Sequence, residues 1–257
     1  MTAFQDFPFP LNVLLTVLER EDGNVDSMHY GLFESPGEPI AEAQERSTAL
    51  LLSRLPPPPA RVLEVGIGLG TTLARLAGMG YAAEGITPDG VQAAAAKARH
   101  GPGLRVHTSP LEAFEAASTE RYDAVFFQES SQYIDSSALF RKVRELTAPG
   151  GRVVVLDEFA LRPVEKPDAL HRLDEFLEAA RHEEFRLAED VDVTRQAMPT
   201  IDWFLERIPR RREELARDLP VTLEQLDALV ASGRDYRALY ENGDYGYRLL
   251  RLERSPA

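Results

Sequence analysis

The segment from Val62 to Thr72 constrains the fold of this chain more than any other. It reads Val-Leu-Glu-Val-Gly-Ile-Gly-Leu-Gly-Thr-Thr and follows four turn-forming prolines at 56–59. An apolar run that ends in glycines and continues into apolar residues at helical spacing predicts a buried strand over 61–65, a tight turn and a helix over 71–77. Glycines let a ligand approach the backbone, and the first N–H groups of a helix have no partner within it. The segment therefore predicts a binding site for a nucleotide-like ligand.

The spacing of the glycines separates two classes of nucleotide-binding protein. A dinucleotide-binding turn has the pattern G-x-G-x-x-G, but position 71 is threonine, and the glycines lie at 66, 68 and 70 behind an acidic residue. This E-x-G-x-G-x-G pattern resembles the first motif of class I S-adenosylmethionine (SAM) dependent methyltransferases, in which the turn packs against the methionine part of the cofactor. The resemblance implies that the cofactor-binding residues include Glu64, Gly66, Gly68, Gly70, Thr71 and Thr72. The alternative is a structural turn without a ligand.

Composition narrows the class of protein further. The 257 residues are 44% hydrophobic, enough for one large α/β domain with an insertion or for two small domains. The chain has no cysteine and its five histidines are scattered, so we expect no metal dependence. A net charge of −13 repels phosphate backbones, which argues against nucleic acid as a partner. The sequence shows no membrane-length apolar run and no signal pattern, so we expect a cytoplasmic protein that does not bind membranes.

Two helices and an aromatic element are predicted before the glycine motif. Leu11–Leu18 and Pro39–Leu55 carry apolar residues at helical spacing, and an acidic turn at 21–24 follows the first of them. The element His29-Tyr30-Gly31 resembles the cofactor lid of the cyclopropane-synthase and sterol-type branch of these methyltransferases. That resemblance implies that Tyr30 binds the carboxylate of SAM. The alternative is a buried tyrosine with a satisfied hydroxyl.

The second strand is predicted over 82–87, with a helix over 88–99 that has Thr87 as N-cap and proline at its first position. Many relatives place a ribose-binding carboxylate where this chain has Thr87, so the sequence departs from the common pattern. The cyclopropane-synthase branch also lacks that carboxylate, and its G-I-T turn with a following glutamine is similar to residues 85–87 and Gln92. Ile86, Thr87 and Gln92 are therefore candidate cofactor contacts. A plain helix cap and a solvent-facing glutamine are the alternatives.

The third strand, predicted over 104–107, leads into a segment that resembles the family loop covering adenine. The resemblance implies that Leu111 lies on the adenine ring and that Glu112 accepts a hydrogen bond from its amino group. Alternatively, Leu111 belongs to the core and Glu112 opens a helix, where an acidic residue suits the helix dipole.

The fourth strand, predicted over 122–127, delivers the loop that starts with Gln128 and Glu129 to the binding crevice of a doubly wound sheet. The pattern Y-D-x-V-x-x-x-E-S resembles the cyclopropane, sterol and prenyl-diphosphate C-methylating enzymes. In those enzymes this glutamate faces the transferred methyl group and binds or deprotonates the substrate, which implies that Glu129 is the catalytic residue. Gln128 is a candidate cofactor contact. Alternatively, Glu129 caps the next turn or holds backbone N–H groups.

The rest of the chain completes the predicted sheet. We expect a helix over 136–146, a Pro-Gly-Gly turn at 148–151, a strand over 152–158, a helix over 167–181, and strands over 185–193 and 245–252. The residues between the last two strands resemble the helical, substrate-covering cap of small-molecule methyltransferases. Its aromatic residues line a pocket or simply pack against their neighbours; they are Trp203, Phe204, Tyr236 and Tyr240. Its arginines at 207 and 210–212 meet an anionic substrate or, as we prefer, form a solvated helix face.

Together these patterns predict an α/β fold, a Rossmann-like doubly wound seven-stranded sheet with a helical lid. We expect a single domain, in which residues 1–55 form an N-terminal helical lid, 56–194 the SAM-binding core, 195–244 a helical cap, and 245–257 the last strand and tail. The last strand is antiparallel, as the resemblance implies.

The predicted activity is transfer of the SAM methyl group to carbon, nitrogen or oxygen of a small molecule, with S-adenosylhomocysteine (SAH) as product. One alternative is a catalytically silent partner protein with the same fold. The other is an NAD(P)-linked oxidoreductase, which Thr71 and Thr87 disfavour. The sequence indicates no oligomeric state.

Overall fold

The computed structural model of the protein describes residues 3–23, 25–116, 121–165 and 170–256. The chain divides into two compact units, each built from two stretches. Unit 1 comprises Met1–Ser47 and Thr194–Gly243, and unit 2 comprises Thr48–Val193 and Asp244–Ala257. The last two of these boundaries lie within one residue of the predicted ones, whereas the first lies eight residues earlier, inside a helix. The single-domain organisation stays a prediction. Within the described ranges, no helix has both the length and the apolar composition to cross a membrane.

A seven-stranded sheet forms the centre of unit 2. Its strands are β1 (Arg61–Val65), β2 (Ala82–Thr87), β3 (Val106–Thr108), β4 (Tyr122–Gln128), β5 (Thr147–Ala160), β6 (Phe185–Asp192) and β7 (Tyr245–Arg254). Their order in the sheet is β3-β2-β1-β4-β5-β7-β6. Strands β1 to β5 pair in parallel, and β7 runs antiparallel between β5 and β6. The predicted doubly wound sheet with an antiparallel last strand is confirmed.

The helices alternate with the strands in unit 2 and make up most of unit 1. In chain order they are α1 (Leu11–Asp22), α2 (Ile40–Leu52), α3 (Thr71–Gly78), α4 (Gly90–His100), α5 (Ser136–Leu146), α6 (Leu173–His182), α7 (Thr194–Ala197), α8 (Pro199–Arg210), α9 (Arg212–Asp218) and α10 (Leu223–Glu241). Two short 3₁₀ turns, Leu111–Ala113 and Ser131–Tyr133, follow β3 and β4.

The central strands of unit 2 are apolar on both faces because helices cover both faces of the sheet. Parallel strands covered by helices bury every second residue against each layer, so their sequences read as continuous apolar runs. Val125 and Val153 of β4 and β5 are fully buried with Phe140 of α5 and Phe176 of α6 in one cluster. Burial of this apolar surface, at about 25 cal/mol per Å², stabilises the packing of the helices on the sheet.

The predicted start of the helix after β2 is wrong. Thr87 is the last residue of β2, where it pairs with Thr108, and Asp89 is the N-cap of α4. The Asp89 carboxylate accepts hydrogen bonds from the N–H groups of Val91 (2.8 Å) and Gln92 (3.4 Å). A threonine whose backbone is held in a sheet ladder cannot also open the helix, so the next residue with a capping side chain does so.

The Pro-Gly-Gly turn before β5 is a bulge inside the strand. Thr147 pairs with Tyr122 and Arg152 pairs with Ala124, so the four residues 148–151 lie opposite Asp123 alone, three more than a regular ladder would hold. Gly150 supplies the positive φ of 75° that the bulge requires.

The predicted helix over 167–181 also has different bounds. Residues 166–169 lie outside the described part of the chain, and α6 begins at Leu173.

Unit 1 is helical where the sequence predicts helices. The insertion between β6 and β7 forms α7 to α10. The first helix is longer than predicted, since Glu21 and Asp22 lie inside α1 and Gly23 ends it in a left-handed conformation. Asn24, the last residue of the predicted acidic turn, is outside the described residues.

Candidate functional site

The strand order of unit 2 reverses between β1 and β4. These two strands are parallel neighbours, with Val65 opposite Phe127, so the loops that follow them leave the same edge of the sheet side by side. In open α/β sheets, ligands bind outside the carboxyl ends of the strands at such a reversal. The predicted glycine turn and the predicted catalytic loop are therefore brought together at the expected place.

The glycine turn after β1 needs its glycines for two physical reasons. Gly66, Gly68 and Gly70 have φ values of 82°, 50° and 75°, a region that side chains disfavour. A Cβ on Gly66 would lie 2.4 Å from the Cβ of Ser130, and one on Gly70 would lie 2.7 Å from the Cβ of Ala96. The turn thus packs directly on the loop after β4 and on α4.

Glu64, in β1, is a buried carboxyl group with an unsatisfied oxygen. The residue is 3% exposed, and burial raises the pKa of its carboxyl well above the usual range. Within the described chain, Glu64 Oε2 has no hydrogen-bond partner, and neither does the buried Thr71 Oγ1 at the start of α3. Thr72, the next residue, is also buried. Buried polar atoms without partners are costly, so these two atoms mark a place where a polar ligand fits.

The residues predicted to bind ribose lie together at the end of β2. Ile86 and Thr87 are buried. The Thr87 hydroxyl lies 3.3 Å from Gln92 Oε1, to which it donates, and accepts a hydrogen bond from Asp89 N. Gln92 is half-buried and held by this contact, so it is not the solvent-facing glutamine of the alternative interpretation. Their contacts with a cofactor stay predictions.

Leu111 and Glu112 differ in their surroundings. Leu111 is 2% exposed and belongs to the core cluster of unit 2, as the packing alternative expects, whereas Glu112 is exposed. Their roles next to adenine stay predictions.

Glu129 forms a close pair with a tyrosine that sequence patterns do not reveal. The Tyr247 hydroxyl, on β7, donates a hydrogen bond of 2.6 Å to Glu129 Oε1. Burial raises the pKa of Tyr247 well above its usual range, and the charge and hydrogen bond of Glu129 raise it further. Tyr247 therefore keeps its proton at neutral pH and is the hydrogen-bond donor of the pair, with Glu129 as the acceptor.

The backbone of Glu129 is strained. Its φ is 53°, one of two positive values among the described non-glycine residues. Such a conformation costs on the order of 1–3 kcal/mol and persists only where neighbouring groups fix it. Gln128, just before it, is buried with its amide 3.4 Å from the Thr48 hydroxyl, and Ser130, just after it, donates to the carbonyl of Val65.

Asp157 fixes the rest of the loop. Its Oδ2 atom accepts hydrogen bonds from Ser131 N (2.9 Å), Ser131 Oγ (2.6 Å) and Gln132 N (3.4 Å). Burial raises the pKa of Asp157, and these hydrogen bonds partly offset that rise. His171 Nε2 donates to the carbonyl of Ile134 at 2.8 Å, which anchors the far end of the loop. The described residues include no group of three or more histidine, aspartate or glutamate side chains arranged to hold a metal ion.

Tyr30 lies in a tightly tied segment of unit 1. Gly31 N donates to the Thr200 hydroxyl at 3.0 Å, and Leu32 N donates to the carbonyl of Ala43 at 2.8 Å. A Cβ on Gly31 would lie 2.6 Å from that of Ala43, so glycine lets this segment pack on α2. Tyr30 itself is half-buried, and its contact with the SAM carboxylate stays a prediction.

The arginine cluster of unit 1 is neutralised by neighbouring acidic residues. Arg207 and Arg211 pair with Glu21, Arg210 pairs with Glu206, and Arg212 pairs with Asp227. These ion pairs support the preferred interpretation of the cluster as a solvated helix face. Of the predicted pocket aromatics, Trp203 and Tyr240 are buried, which favours packing.

Sequence patterns missed two residues that shape the site, namely Tyr247 and Asp157, and they gave Gly85 only as the first residue of the G-I-T turn, without its packing role. A Cβ on Gly85 would lie 2.4 Å from Ile67 and 2.7 Å from Leu73, so this glycine seats the turn on β2. The polar pair Asp157-Glu158 at the end of an apolar strand was the available signal for Asp157. No local pattern points to Tyr247.

Comparisons with known proteins agree with this architecture. A family model described as a methyltransferase domain matches residues 40–194, more than half of the chain. A search of curated proteins finds no match. The cyclase SpnF is 22% identical, with a TM-score of 0.77 over 95% of this chain and 93% of its own.

Two further solved structures are similar. The cyclopropane synthase MmaA2 of Mycobacterium tuberculosis is 17% identical, with a TM-score of 0.77 over 97% of this chain and 100% of its own. The geranyl diphosphate C-methyltransferase of Streptomyces coelicolor A3(2) is 17% identical, with a TM-score of 0.66 over 98% of each chain. At these identities the structures establish the fold.

The chain belongs to the methyltransferase domain family, because the family model covers the whole stretch from α2 to the end of β6. The predicted class of protein is confirmed.

Proposed function

We propose that this protein transfers a methyl group from SAM to a small-molecule acceptor, with Glu129 as the base. The observation that carries the proposal is the placement of the Glu129–Tyr247 pair beside the glycine turn, at the reversal of strand order. Family membership supports the reaction class. Two structural neighbours, a cyclopropane synthase and a geranyl diphosphate methyltransferase, support a small acceptor by what they are named for.

The residues at the carboxyl ends of β1 and β2 fit SAM. Glu64 Oε2 and Thr71 Oγ1 offer unpaired polar atoms, and the glycines leave the backbone of the turn without side chains that would stand between it and a cofactor. When bound, SAM supplies a methyl group on a positively charged sulfur. We assign its binding to Tyr30, Glu64, Gly66, Gly68, Gly70, Thr71, Thr72, Ile86, Thr87, Gln92, Leu111, Glu112 and Gln128.

Methyl transfer is an in-line displacement, so the protein mainly aligns the acceptor, excludes water and removes a proton where the acceptor carries one. Glu129 takes that proton. Tyr247 stays protonated and holds one carboxylate oxygen in place, while Asp157 and Ser130 fix the loop on either side of the strained backbone. The reaction we propose requires no metal ion, so a chelator leaves turnover unchanged. Loss of turnover with chelator would contradict this part of the proposal.

The first experiment measures the melting temperature with and without SAH. A ligand that binds only the native state raises it. We expect SAH to raise the melting temperature and NAD to leave it unchanged. The Gly68→Ala variant should lose the response to SAH, because the φ of 50° disfavours a side chain and the new methyl group would occupy space that the cofactor needs. Gly78→Ala is the control, since a Cβ there meets nothing within 4 Å.

The second experiment measures transfer of a labelled methyl group from SAM to fractionated pools of metabolites. Incorporation into a small-molecule fraction supports the proposal. SAH binding without incorporation into any fraction would favour the catalytically silent alternative, and a shift with NAD alone would favour the oxidoreductase.

A further inference from the structure

Two side chains of opposite hydrogen-bonding character hold the 3₁₀ turn Ser131–Tyr133. Asp157 accepts hydrogen bonds from N–H groups and a hydroxyl at the start of the turn. His171 binds carbonyl groups instead, because its Nε2 atom lies 2.8 Å from the oxygen of Ile134 and 3.3 Å from the oxygen of Ser131. A carbonyl oxygen only accepts, so Nε2 carries the hydrogen and donates to both. The turn is thus held through its donors by one residue and through its acceptors by the other.

His171 is itself fixed to the sheet and to a helix. Its carbonyl oxygen accepts a hydrogen bond of 2.9 Å from Ala160 N, at the end of β5. The next residue, Arg172, forms a parallel bridge with Ala160. The imidazole ring is half-buried and lies against the fully buried Phe176 of α6, with 5.8 Å between the ring centroids. His171 therefore connects the turn to two elements of the core.

The turn begins two residues after the proposed base. Glu129 N donates to the carbonyl of Leu156 at 3.0 Å, which fixes the backbone on the side of β4. On its other side the chain passes through Ser130 into the turn, and the φ of 53° at Glu129 lies between these fixed points. A strained backbone persists only where its surroundings hold it. Release of the turn would let Glu129 relax away from Tyr247.

Asp157 alone does not account for the closed end of the turn. Its three hydrogen bonds to the loop reach Ser131 and Gln132, whereas His171 reaches Ile134, the residue after the turn. Ile134 N donates back to the carbonyl of Ser131 at 3.1 Å, and His171 binds that same oxygen. The histidine therefore holds the residue that opens the turn and the residue that closes it.

We propose, on the basis of the methyltransferase function proposed above, that His171 is a positioning residue for methyl transfer. It acts through the turn. By holding both ends of it, His171 keeps Glu129 in the strained conformation in which its carboxylate meets Tyr247 and the acceptor.

The test begins with single substitutions at His171. His171→Leu removes the donor, whereas His171→Gln offers an amide N–H in its place. Transfer of a labelled methyl group from SAM is measured with the metabolite fraction that the parent protein methylates. We expect His171→Leu to lower kcat about 3- to 10-fold, in line with the loss of one hydrogen bond, and to keep SAH affinity within about two-fold. His171→Gln should recover most of the loss. His182→Leu, at an exposed position on α6, is the control and should change neither value.

A double variant separates positioning from a merely structural role. Because a positioning residue acts through the base, His171→Leu should cause no further loss of kcat once Glu129 is replaced by glutamine. A structural histidine would lower kcat by the same factor in both backgrounds. Should His171→Leu not fold, His171→Asn takes its place, since it stays polar and is too short to reach Ile134.

Three results would overturn the inference: unchanged kcat in His171→Leu, equal losses in the Leu and Gln variants, or a loss that persists in the double variant. The parent protein keeps this test separate from the proposed function. Absence of SAH binding and of methyl transfer in the parent protein rejects the proposed function and the inference with it. Transfer by the parent protein together with any of the three results rejects only the role of His171.

Discussion

A Cβ atom on Gly66 would lie 2.4 Å from the Cβ of Ser130, so the turn after β1 and the loop after β4 touch at a point where no side chain fits. The Ser130 hydroxyl also donates to the carbonyl of Val65, the residue before the glycine. The cofactor turn and the loop that carries Glu129 are therefore one packed structure, and displacement of either one displaces the other.

Gly66→Ala is expected to destabilise the protein by about 2–4 kcal/mol, because the φ of 82° disfavours a side chain and the new methyl group overlaps Ser130. Thermal or urea unfolding measures this loss. Gly78→Ala, at an open helical position, should be neutral or slightly stabilising. Equal stability of Gly66→Ala and the parent protein would show that the two loops separate freely.

Glu129→Gln is expected to lower kcat about 10²–10⁴-fold with unchanged SAM affinity, since general-base catalysis has about that value. The change keeps the size of the side chain and removes its basic oxygen. Steady-state kinetics and a SAM titration measure the two effects. Weaker SAM binding would place Glu129 in the cofactor site, and full activity would remove it from the mechanism.

Tyr247→Phe is expected to lower kcat less than Glu129→Gln does, because it removes only the hydrogen bond of 2.6 Å that positions the carboxylate. The double variant should be no slower than Glu129→Gln alone, since residues that act as a unit are not additive. Rate losses that multiply in the double variant would show that the two residues act independently.

Local sequence patterns predicted the structural features that depend on residues close together in the chain. The bounds of β1, β2 and α5 match the predictions because apolar runs, glycines and caps lie next to one another in the sequence. The cap of α4 was mispredicted because Thr87 and Asp89 both suit the position, and only pairing of Thr87 with β3 decides between them.

The chemistry of the site depends on distant residues. Tyr247 lies 118 positions after Glu129, and the antiparallel return of β7 brings them together. The support of Asp157 for the loop likewise crosses from β5 to the residues after β4. A pattern within one segment carries no trace of such contacts, so Glu129 could be named as a candidate from the sequence and its partners could not.

Glu64→Gln is expected to raise the melting temperature more at pH 8 than at pH 4. Burial raises the pKa of Glu64 in the native state, so the native protein holds a proton that the unfolded chain releases above pH 4.5. Stability from this group is present at low pH and falls as pH rises toward the native pKa. The glutamine variant lacks that loss. Parallel pH profiles for the two proteins would refute this account. The same change should weaken SAH binding, so the variant would gain stability and lose cofactor affinity.

The last prediction concerns His29, whose ring is buried beside the backbone of Tyr30. Burial lowers the pKa of His29 from 6.5 to about 4, against smaller opposing effects of the Tyr30 carbonyl and of Glu45. Between pH 6.5 and 4 the unfolded chain therefore binds a proton that the native protein does not. The stability tied to the neutral ring is complete above pH 6.5 and is lost as pH falls through this window. A shift of this size corresponds to about 3 kcal/mol.

Urea unfolding from pH 7.5 to 4 measures that loss in the parent protein and in His29→Gln, which stays neutral throughout. We expect the difference in unfolding free energy between the two proteins to shrink by about 3 kcal/mol as pH falls, because only the parent protein has the histidine to protonate. Acidic residues that titrate in the same range affect both proteins alike and cancel in the difference. A difference that stays constant with pH would show that His29 is protonated as readily in the native protein as in the unfolded chain.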